Sequence, residues 1–237
     1  MTVRTFAFIT VHPAFIEAYA KFGVFRAAER ASIAIQPINL RQFAVDKHGS
    51  VDDAPFGGGD GMVLRPEPLV AALEPFTRPR KVFVTSPSGR PWTQADAALH
   101  AASGDDLIFI SGRFAGIDDR FLALYVDEEI SLGDFVISGG ELACLTLADS
   151  VLRLIPGVLG NQQSAKEDSF GTELDSLLEY PLYTRPLEFE GLTVPDVLLS
   201  GDHKKIAEWR RAEALKKTER LRPDLFEIYK TKNPSKR

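Results

Sequence analysis

In the N-terminal part of the chain, segments with the apolar pattern of a strand alternate with segments with the apolar pattern of a helix. Short apolar runs are typical of buried strands, and weak alternation is typical of a half-buried one. Such runs occur at residues 5–10, 32–40, 81–85, 106–111 and 128–132. Between them, helical spacing extends from Phe15 to Phe25 and over residues 67–73, and Thr93 with Asp96 resembles the start of another helix. Strands that alternate with helices predict an α/β fold around a parallel sheet.

The most apolar helical pattern follows Gly140 and stops at Pro156. A helix that is apolar on nearly every side is buried. Its few polar residues lie three or four positions apart and therefore share one ridge. They are Thr146, Asp149, Ser150 and Arg153. An ion pair between Asp149 and Arg153 is the simpler interpretation, and an arginine held at a binding site is the alternative.

Beyond residue 160 the pattern changes. The polar segment 161–172 lacks apolar periodicity, and prolines interrupt 180–195. A helix is predicted from Asp202 to the break at Pro223, and a short helix and a frayed tail follow. We therefore predict an N-terminal domain at 1–160, a flexible linker at 161–175 and a small helical domain at 176–237.

Charge is distributed unevenly. The 237-residue chain has a net charge of −5, but residues 201–237 contain 12 Lys and Arg against 6 Asp and Glu. Such asymmetry is typical of a basic module on an acidic body, and a solvated helical surface explains it equally well.

Other features indicate the cellular compartment. Cys144 is the one cysteine, so the chain cannot form an internal disulfide, which fits a reducing environment. No apolar run is long enough to cross a membrane, and the N-terminus lacks the apolar region of a signal peptide. We expect a cytoplasmic protein without a membrane partner.

Candidate binding residues cluster where predicted strands end. Ser-Pro-Ser-Gly follows Thr85, and glycines follow Ser111 and Ile137. Ligands of parallel sheets bind at the carboxyl ends of strands, so these junctions predict a nucleotide-like ligand held mainly by backbone groups. The glycine-rich loop at 48–62 matches neither a Walker loop nor a dinucleotide fingerprint, and it is either a ligand contact or a flexible surface loop.

Several longer motifs occur together in a fixed order. They are VDDAPFGGGDGM (51–62), SPSGRPWTQ (86–94), ISGRFAGIDDR (110–120), DEEISLGDFVISGGELA (127–143), DSVLRLIPGVLG (149–160), EDSF (167–170), YTRP (183–186) and VPDVLLSGDH (194–203). On these motifs the chain resembles the bacterial tRNA (guanine-N1)-methyltransferases of the SPOUT class, from the N-terminus to about Tyr229.

The resemblance implies methyl transfer from S-adenosylmethionine to N1 of the guanosine at tRNA position 37. It implies a deep trefoil knot in the α/β domain, a helical tRNA-binding C-terminal domain, and a homodimer with active sites at the interface. It leaves open whether Mg²⁺ assists, and no metal-ligating residue is predicted.

The same resemblance implies roles for individual residues. Asp168 matches the general base that accepts the proton from guanine N1, and Arg153 matches the group that stabilises O6. The residues that match cofactor contacts are Val84, Thr85, Ser86, Pro87, Gly112, Phe114, Leu132, Gly133, Phe135, Ile137, Gly139 and Gly140.

The chain departs from the family pattern at a few positions. Ala115 stands where the family usually has Glu, and Phe114 and Phe135 replace common tyrosines. Two other hypotheses therefore remain: a SPOUT methyltransferase that acts elsewhere on RNA, and a non-catalytic RNA-binding protein.

Overall fold

The computed structural model describes residues 3–77, 79–161 and 167–233. The chain forms two compact units, Met1–Gly160 and Asn161–Arg237. Leu174 and Asp175, which fall in the predicted linker, contact the C-terminal unit: Leu174 packs in its core and Asp175 pairs with Arg211. The division of tasks between an N-terminal cofactor domain and a C-terminal RNA domain stays a prediction.

The N-terminal unit alternates strands and helices. Its strands are β1 (Arg4–Thr10), β2 (Ile33–Asn39), β3 (Asp52–Asp53), β4 (Val63–Leu64), β5 (Arg80–Pro91), β6 (Asp106–Ile110), β7 (Gly116–Ile117) and β8 (Glu128–Ser131). Its α-helices are α1 (Pro13–Tyr19), α2 (Gly23–Ala28), α3 (Pro66–Leu73), α4 (Gln94–Ser103), α5 (Asp119–Tyr125) and α6 (Glu141–Leu152).

The main sheet has five strands in the order β2-β1-β6-β5-β8, and every neighbouring pair is parallel. The predicted α/β fold with a parallel sheet is therefore confirmed. A smaller sheet of β3, β4 and β7 borders the glycine-rich loop that separates β3 from β4. The trefoil knot stays a prediction.

Both faces of the main sheet are covered, which explains why its strands are apolar without alternation. On one face, Phe8, Phe83 and Phe109 pack against α6 residues that include Cys144 and Val151. The other face packs against α3 and α5, where Leu69, Leu73 and Phe121 are fully buried or nearly so. The sheet therefore fixes the positions of the strand ends.

Three elements differ from their predicted extent, one of them being α6, which ends at Leu152 before the predicted stop at Pro156. The pattern from Phe15 to Phe25 forms two helices rather than one, because the chain turns at Gly23 with a positive φ of 54°. Strand β5 continues to Pro91 instead of ending at Thr85, with an irregular register between Thr85 and Arg90. A Cβ on Gly89 would lie 2.5 Å from the backbone nitrogen of Ile130, so only glycine permits this approach.

The C-terminal unit is mostly helical, as predicted. It contains a hairpin of β9 (Glu188–Phe189) and β10 (Leu192–Thr193), and the helices α7 (Asp196–Leu199), α8 (His203–Leu221) and α9 (Pro223–Lys232). Its core is small and comprises Leu174, Leu177, Tyr180, Ala214 and Tyr229. Asp202 begins α8 by accepting hydrogen bonds from the backbone amides of Lys204 and Lys205. The predicted frayed tail lies outside the described residues, except for Asn233.

Within the described ranges, no helix is both long and apolar enough to cross a membrane.

Candidate functional site

A cleft of about 320 Å³ lies at the carboxyl edge of the sheet, beside residues 84–87 within β5 and at the ends of β6 and β8. Its volume falls in the usual range of small-molecule sites, about 300–1,000 Å³. Every residue that the sequence predicted as a cofactor contact lines this cleft. They are Val84, Thr85, Ser86, Pro87, Gly112, Phe114, Leu132, Gly133, Phe135, Ile137, Gly139 and Gly140.

Glycine is sterically required at the back of the cleft. A Cβ on Gly140 would lie 2.6 Å from the Thr85 hydroxyl oxygen and 2.7 Å from the Gly112 backbone nitrogen. The Gly140 amide also donates to the Gly112 carbonyl at 2.8 Å, which joins the β6 loop to the segment before α6. The loops after different strands therefore meet through backbone atoms.

A buried ion pair stands directly behind this segment. Glu141, in the first turn of α6, is 2% exposed, and its Oε2 lies 2.8 Å from Nη2 of Arg113. Thr10, at the end of β1, donates from its hydroxyl to Glu141 Oε1 at 2.7 Å. Arg113 Nη1 also donates to the Ser138 carbonyl at 3.0 Å. One carboxylate thus holds together the end of β1, the β6 loop and the start of α6.

The environment of Glu141 affects its ionisation in two opposing ways. Burial raises the pKa of this carboxyl, whereas the hydrogen bonds from Arg113 and Thr10 lower it. The lowering effects together prevail, so the pKa of Glu141 lies below its usual value of 4.5. The group is therefore a carboxylate at neutral pH.

Arg113 also passes close to Gly139. A Cβ at Gly139 would collide with the guanidinium group, so the wall of the cleft can follow this path only with glycine there. The ion pair and the glycine together fix the path of the chain from Ser138 to Glu141.

The mouth of the cleft is apolar and exposed. Phe114 and Phe135 expose 51% and 58% of their surface, and Val136 exposes 85%. Phe114 has a positive φ of 60°, an uncommon conformation for a bulky residue. Exposed rings beside backbone groups suit a flat, partly apolar ligand such as a nucleoside.

Some residues that line the cleft were not predicted from the sequence. Arg113 belongs to a quoted motif, but its pairing with Glu141 requires contacts across 28 residues. Glu129 lines the cleft and accepts a hydrogen bond from Ser88 at 3.3 Å. Ser131 bonds to both the amide and the carbonyl of Gly133. The sequence of β8 does not reveal the partners of these side chains.

Cys144 lies beneath the cleft and is fully buried. Its sulfur lies 3.6 Å from the Ser111 hydroxyl and 3.7 Å from the Thr85 hydroxyl. Burial raises the pKa of the thiol to about 11, so it is protonated and packs as a small apolar group.

The polar side chains on the ridge of α6 make specific contacts. Ser150 accepts a hydrogen bond from the Trp92 indole at 2.9 Å, and Thr146 donates to the Leu142 carbonyl. Burial raises the pKa of Asp149, and the nearby charge of Arg153 partly opposes that shift. Asp149 and Arg153 therefore interact electrostatically, which fits the ion-pair interpretation without excluding a second task for Arg153.

Neither of the two predicted catalytic residues is among the residues that line the cleft. Arg153 follows the last residue of α6 in the N-terminal unit. Asp168 belongs to the C-terminal unit, where its carbonyl accepts from the Gly171 amide at 2.8 Å. Within the part of the chain that the structure describes, no group of three or more His, Cys, Asp or Glu side chains could hold a metal ion.

Comparisons with known proteins agree with the motifs. A sequence model of the family described as tRNA (Guanine-1)-methyltransferase TrmD matches residues 4–228. A tRNA (guanine-N(1)-)-methyltransferase of Geobacter sulfurreducens is 49% identical over 225 residues, which cover 93% of this chain and 90% of that relative. One from Staphylococcus aureus strain JH9 is 44% identical over 232 residues, covering 97% of this chain and 93% of the relative. The chain therefore belongs to the tRNA (guanine-1)-methyltransferase family.

Proposed function

We propose that this protein transfers a methyl group from S-adenosylmethionine to N1 of guanosine at position 37 of tRNA, in the cytoplasm. The observation that carries the proposal is the convergence of all predicted cofactor contacts on one cleft at the carboxyl edge of the sheet. Family membership over residues 4–228 supports the same reaction class.

The cleft has the shape and chemistry that this methyl donor needs. Gly112, Gly139 and Gly140 bring backbone groups to its back wall, where side chains would leave no room. Backbone amides and carbonyls suit the ring nitrogens of adenine, while Phe114 and Phe135 offer apolar faces at the mouth. When bound, S-adenosylmethionine supplies a methyl group on a positively charged sulfur.

Residues outside the cleft activate the acceptor. N1 of guanine carries a proton, and the Asp168 carboxylate accepts that proton as N1 forms its bond to the methyl carbon. The electrons of the broken carbon–sulfur bond remain on sulfur. Negative charge that develops towards O6 is stabilised by the fixed donors of the Arg153 guanidinium. Holding N1 in line with the methyl group supplies much of the remaining rate enhancement.

A homodimer would complete the site. Phe135, Val136 and Leu142 are exposed apolar side chains at or next to the cleft mouth, as expected of a surface that a second protomer covers. In this arrangement Asp168 from one protomer reaches the cleft of its partner. The excess of Lys and Arg from residue 201 onward contacts tRNA phosphates.

The replacement of Asp168 by Asn tests the proposed base directly. It keeps the size of the side chain but removes its ability to accept the proton, so methyl transfer should fall about 100- to 10,000-fold. The measurement is transfer of labelled methyl to a tRNA transcript with guanosine at position 37, together with calorimetric binding of S-adenosylhomocysteine. Asp224→Asn, an exposed change of the same kind in the same unit, is the control and should leave both unchanged.

Other outcomes distinguish the alternatives. Turnover of Asp168→Asn at the rate of the unaltered enzyme would refute the assigned base. Labelling of other RNAs but not of this transcript would indicate a SPOUT methyltransferase that acts elsewhere. Binding of tRNA without any transfer would indicate a non-catalytic protein.

A further inference from the structure

A second concavity lies entirely within the C-terminal unit. We call it the C-terminal groove, and it has a volume of about 490 Å³. It is lined by the segment from Tyr180 to Leu187, by Val194, Leu198 and Leu199, and by Ile206, Trp209 and Arg210 of α8. Nothing in the proposed mechanism uses it.

The groove presents aromatic rings at its surface. The ring centres of Tyr183 and Trp209 are 6.3 Å apart and their planes are inclined by 53°, so the two rings form an angled wall rather than a closed stack. Tyr183 exposes 49% of its surface. An exposed aromatic face is a platform on which a nucleobase stacks, since every base has a π-face.

The charges on the groove have one sign. Its lining contains Arg185 and Arg210 but no Asp or Glu. Arg210 lies over the ring of Tyr180 at 4.8 Å, and among the described residues no carboxylate forms a salt bridge with exposed Arg185. By contrast, Arg211 pairs with Asp175 and Arg222 pairs with Asp224, so these two arginines are neutralised locally.

We propose that the C-terminal groove binds one unpaired nucleotide of the RNA substrate. The base stacks on Trp209 or Tyr183, and the adjoining phosphate is held by the Arg185 guanidinium. The positive, acid-free lining favours a phosphate-bearing ligand over an apolar protein segment. This inference deepens the proposed function, because it rests on tRNA being the substrate.

The test uses the whole enzyme labelled with 5-fluorotryptophan, which reports on the chain's tryptophans, Trp92 and Trp209. Trp209→Phe assigns the two ¹⁹F signals. Adding saturating tRNA transcript should shift the Trp209 signal, whereas Trp92 lies in the other unit and packs against Phe83, and should stay unchanged. A short single-stranded RNA should cause the same shift at higher concentration.

Matched variants measure the contribution of the groove. Tyr183→Ala and Arg185→Ala should each weaken tRNA binding roughly 5- to 100-fold, and Arg185→Lys should restore part of the loss. Arg185→Ala should also make binding less sensitive to salt, because one phosphate contact is lost. The control is Arg30→Ala, an exposed arginine of the N-terminal unit that does not line the groove, which should change affinity less than twofold.

Each contrary result has a distinct meaning. Affinity within twofold for both groove variants, with normal methylation of the transcript, would overturn the groove proposal and leave the proposed function intact. No binding of the transcript to the unaltered protein would overturn both. A change of oligomeric state on Tyr183→Ala, measured by sedimentation, would show that the groove contacts a second copy of the chain and would also overturn the proposal.

Discussion

The cleft of the N-terminal unit and the groove of the C-terminal unit are built on opposite principles. The cleft owes its shape to backbone atoms and glycines, with Gly139 and Gly140 packed against residues of neighbouring loops. The groove owes its character to side chains, chiefly Trp209, Tyr183 and Arg185. A backbone-built site has few ways to adjust, whereas side chains can rotate to meet a variable ligand.

The apolar cores that support the two sites also differ in size. The cleft stands on a five-stranded sheet with apolar clusters on both faces. The groove lies beside a small core in which Leu174 and Tyr229 take part. Rigid placement suits the transfer of one carbon between two defined atoms, and a softer surface suits RNA, whose unpaired nucleotides are themselves mobile.

The largest effect should follow a change to the backbone-built site. Gly140→Ala places a Cβ 2.6 Å from the Thr85 hydroxyl oxygen and 2.7 Å from the Gly112 nitrogen, and the backbone nitrogen cannot move aside. We expect binding of S-adenosylhomocysteine to weaken about 100-fold by calorimetry. Gly160→Ala is the control, because nothing lies within 4 Å of its added Cβ.

If Gly140→Ala binds S-adenosylhomocysteine normally, the comparison of a rigid cleft with an adaptable groove fails. Thermal unfolding of the same variant separates loss of the site from loss of the fold.

Removal of the Glu141 charge behind the cleft should have a smaller effect, which we expect on the stability of the protein. Glu141→Gln keeps an acceptor for Thr10 but leaves the Arg113 guanidinium without its buried carboxylate. We expect the free energy of unfolding at pH 7 to fall by about 2 kcal/mol, measured by urea denaturation.

The pH dependence of this loss follows from the lowered pKa of Glu141. A carboxyl whose pKa is lower in the folded protein stabilises it fully above its unfolded value of about 4.5 and less as pH falls through the folded value. The difference between Glu141→Gln and the unaltered protein should therefore shrink below that pH. A difference that stays constant in acid would show that the ion pair does not cause it.

The smallest effect should come from an exposed pair in the C-terminal unit. Arg222 and Asp224 form a salt bridge with side chains that are 45% and 59% exposed. Arg222→Ala should change the free energy of unfolding by about 0.5 kcal/mol or less, because water and salt screen exposed pairs. A loss as large as that of Glu141→Gln would contradict the distinction between the two units.

Sequence patterns predicted most of this fold because its strands are buried on both faces. The strands at 106–110 and 128–131 lie within one residue of their predicted limits, and the capping box of Thr93 and Asp96 is confirmed. The extension of β5 was missed because Ser-Pro-Ser-Gly is typical of a loop, whereas its pairing with β8 at Ile130 and Ser131 depends on contacts about 40 residues away in sequence.

The residues that line the cleft could be predicted from the sequence, whereas the buried groups behind the lining could not. Glycines at strand ends signalled the cleft, and the family resemblance supplied the individual positions. The Glu141 carboxylate behind the cleft contacts residues that are far away in sequence, and local periodicity does not predict such contacts. The roles of Asp168 and Arg153 stay predictions, since each depends on where a second protomer or tRNA lies.

The bond between Thr10 and Glu141 spans 131 positions, which matters while the protein is being synthesised. Strand β1 leaves the ribosome long before Glu141 has been added, so the nascent sheet lacks both this carboxylate and the helix that covers Phe8 and Phe109. The cleft is therefore among the last parts of its unit to form. A chain cut short before α6 exposes apolar surface that chaperones and proteases recognise, and it cannot sequester the methyl donor from finished enzyme.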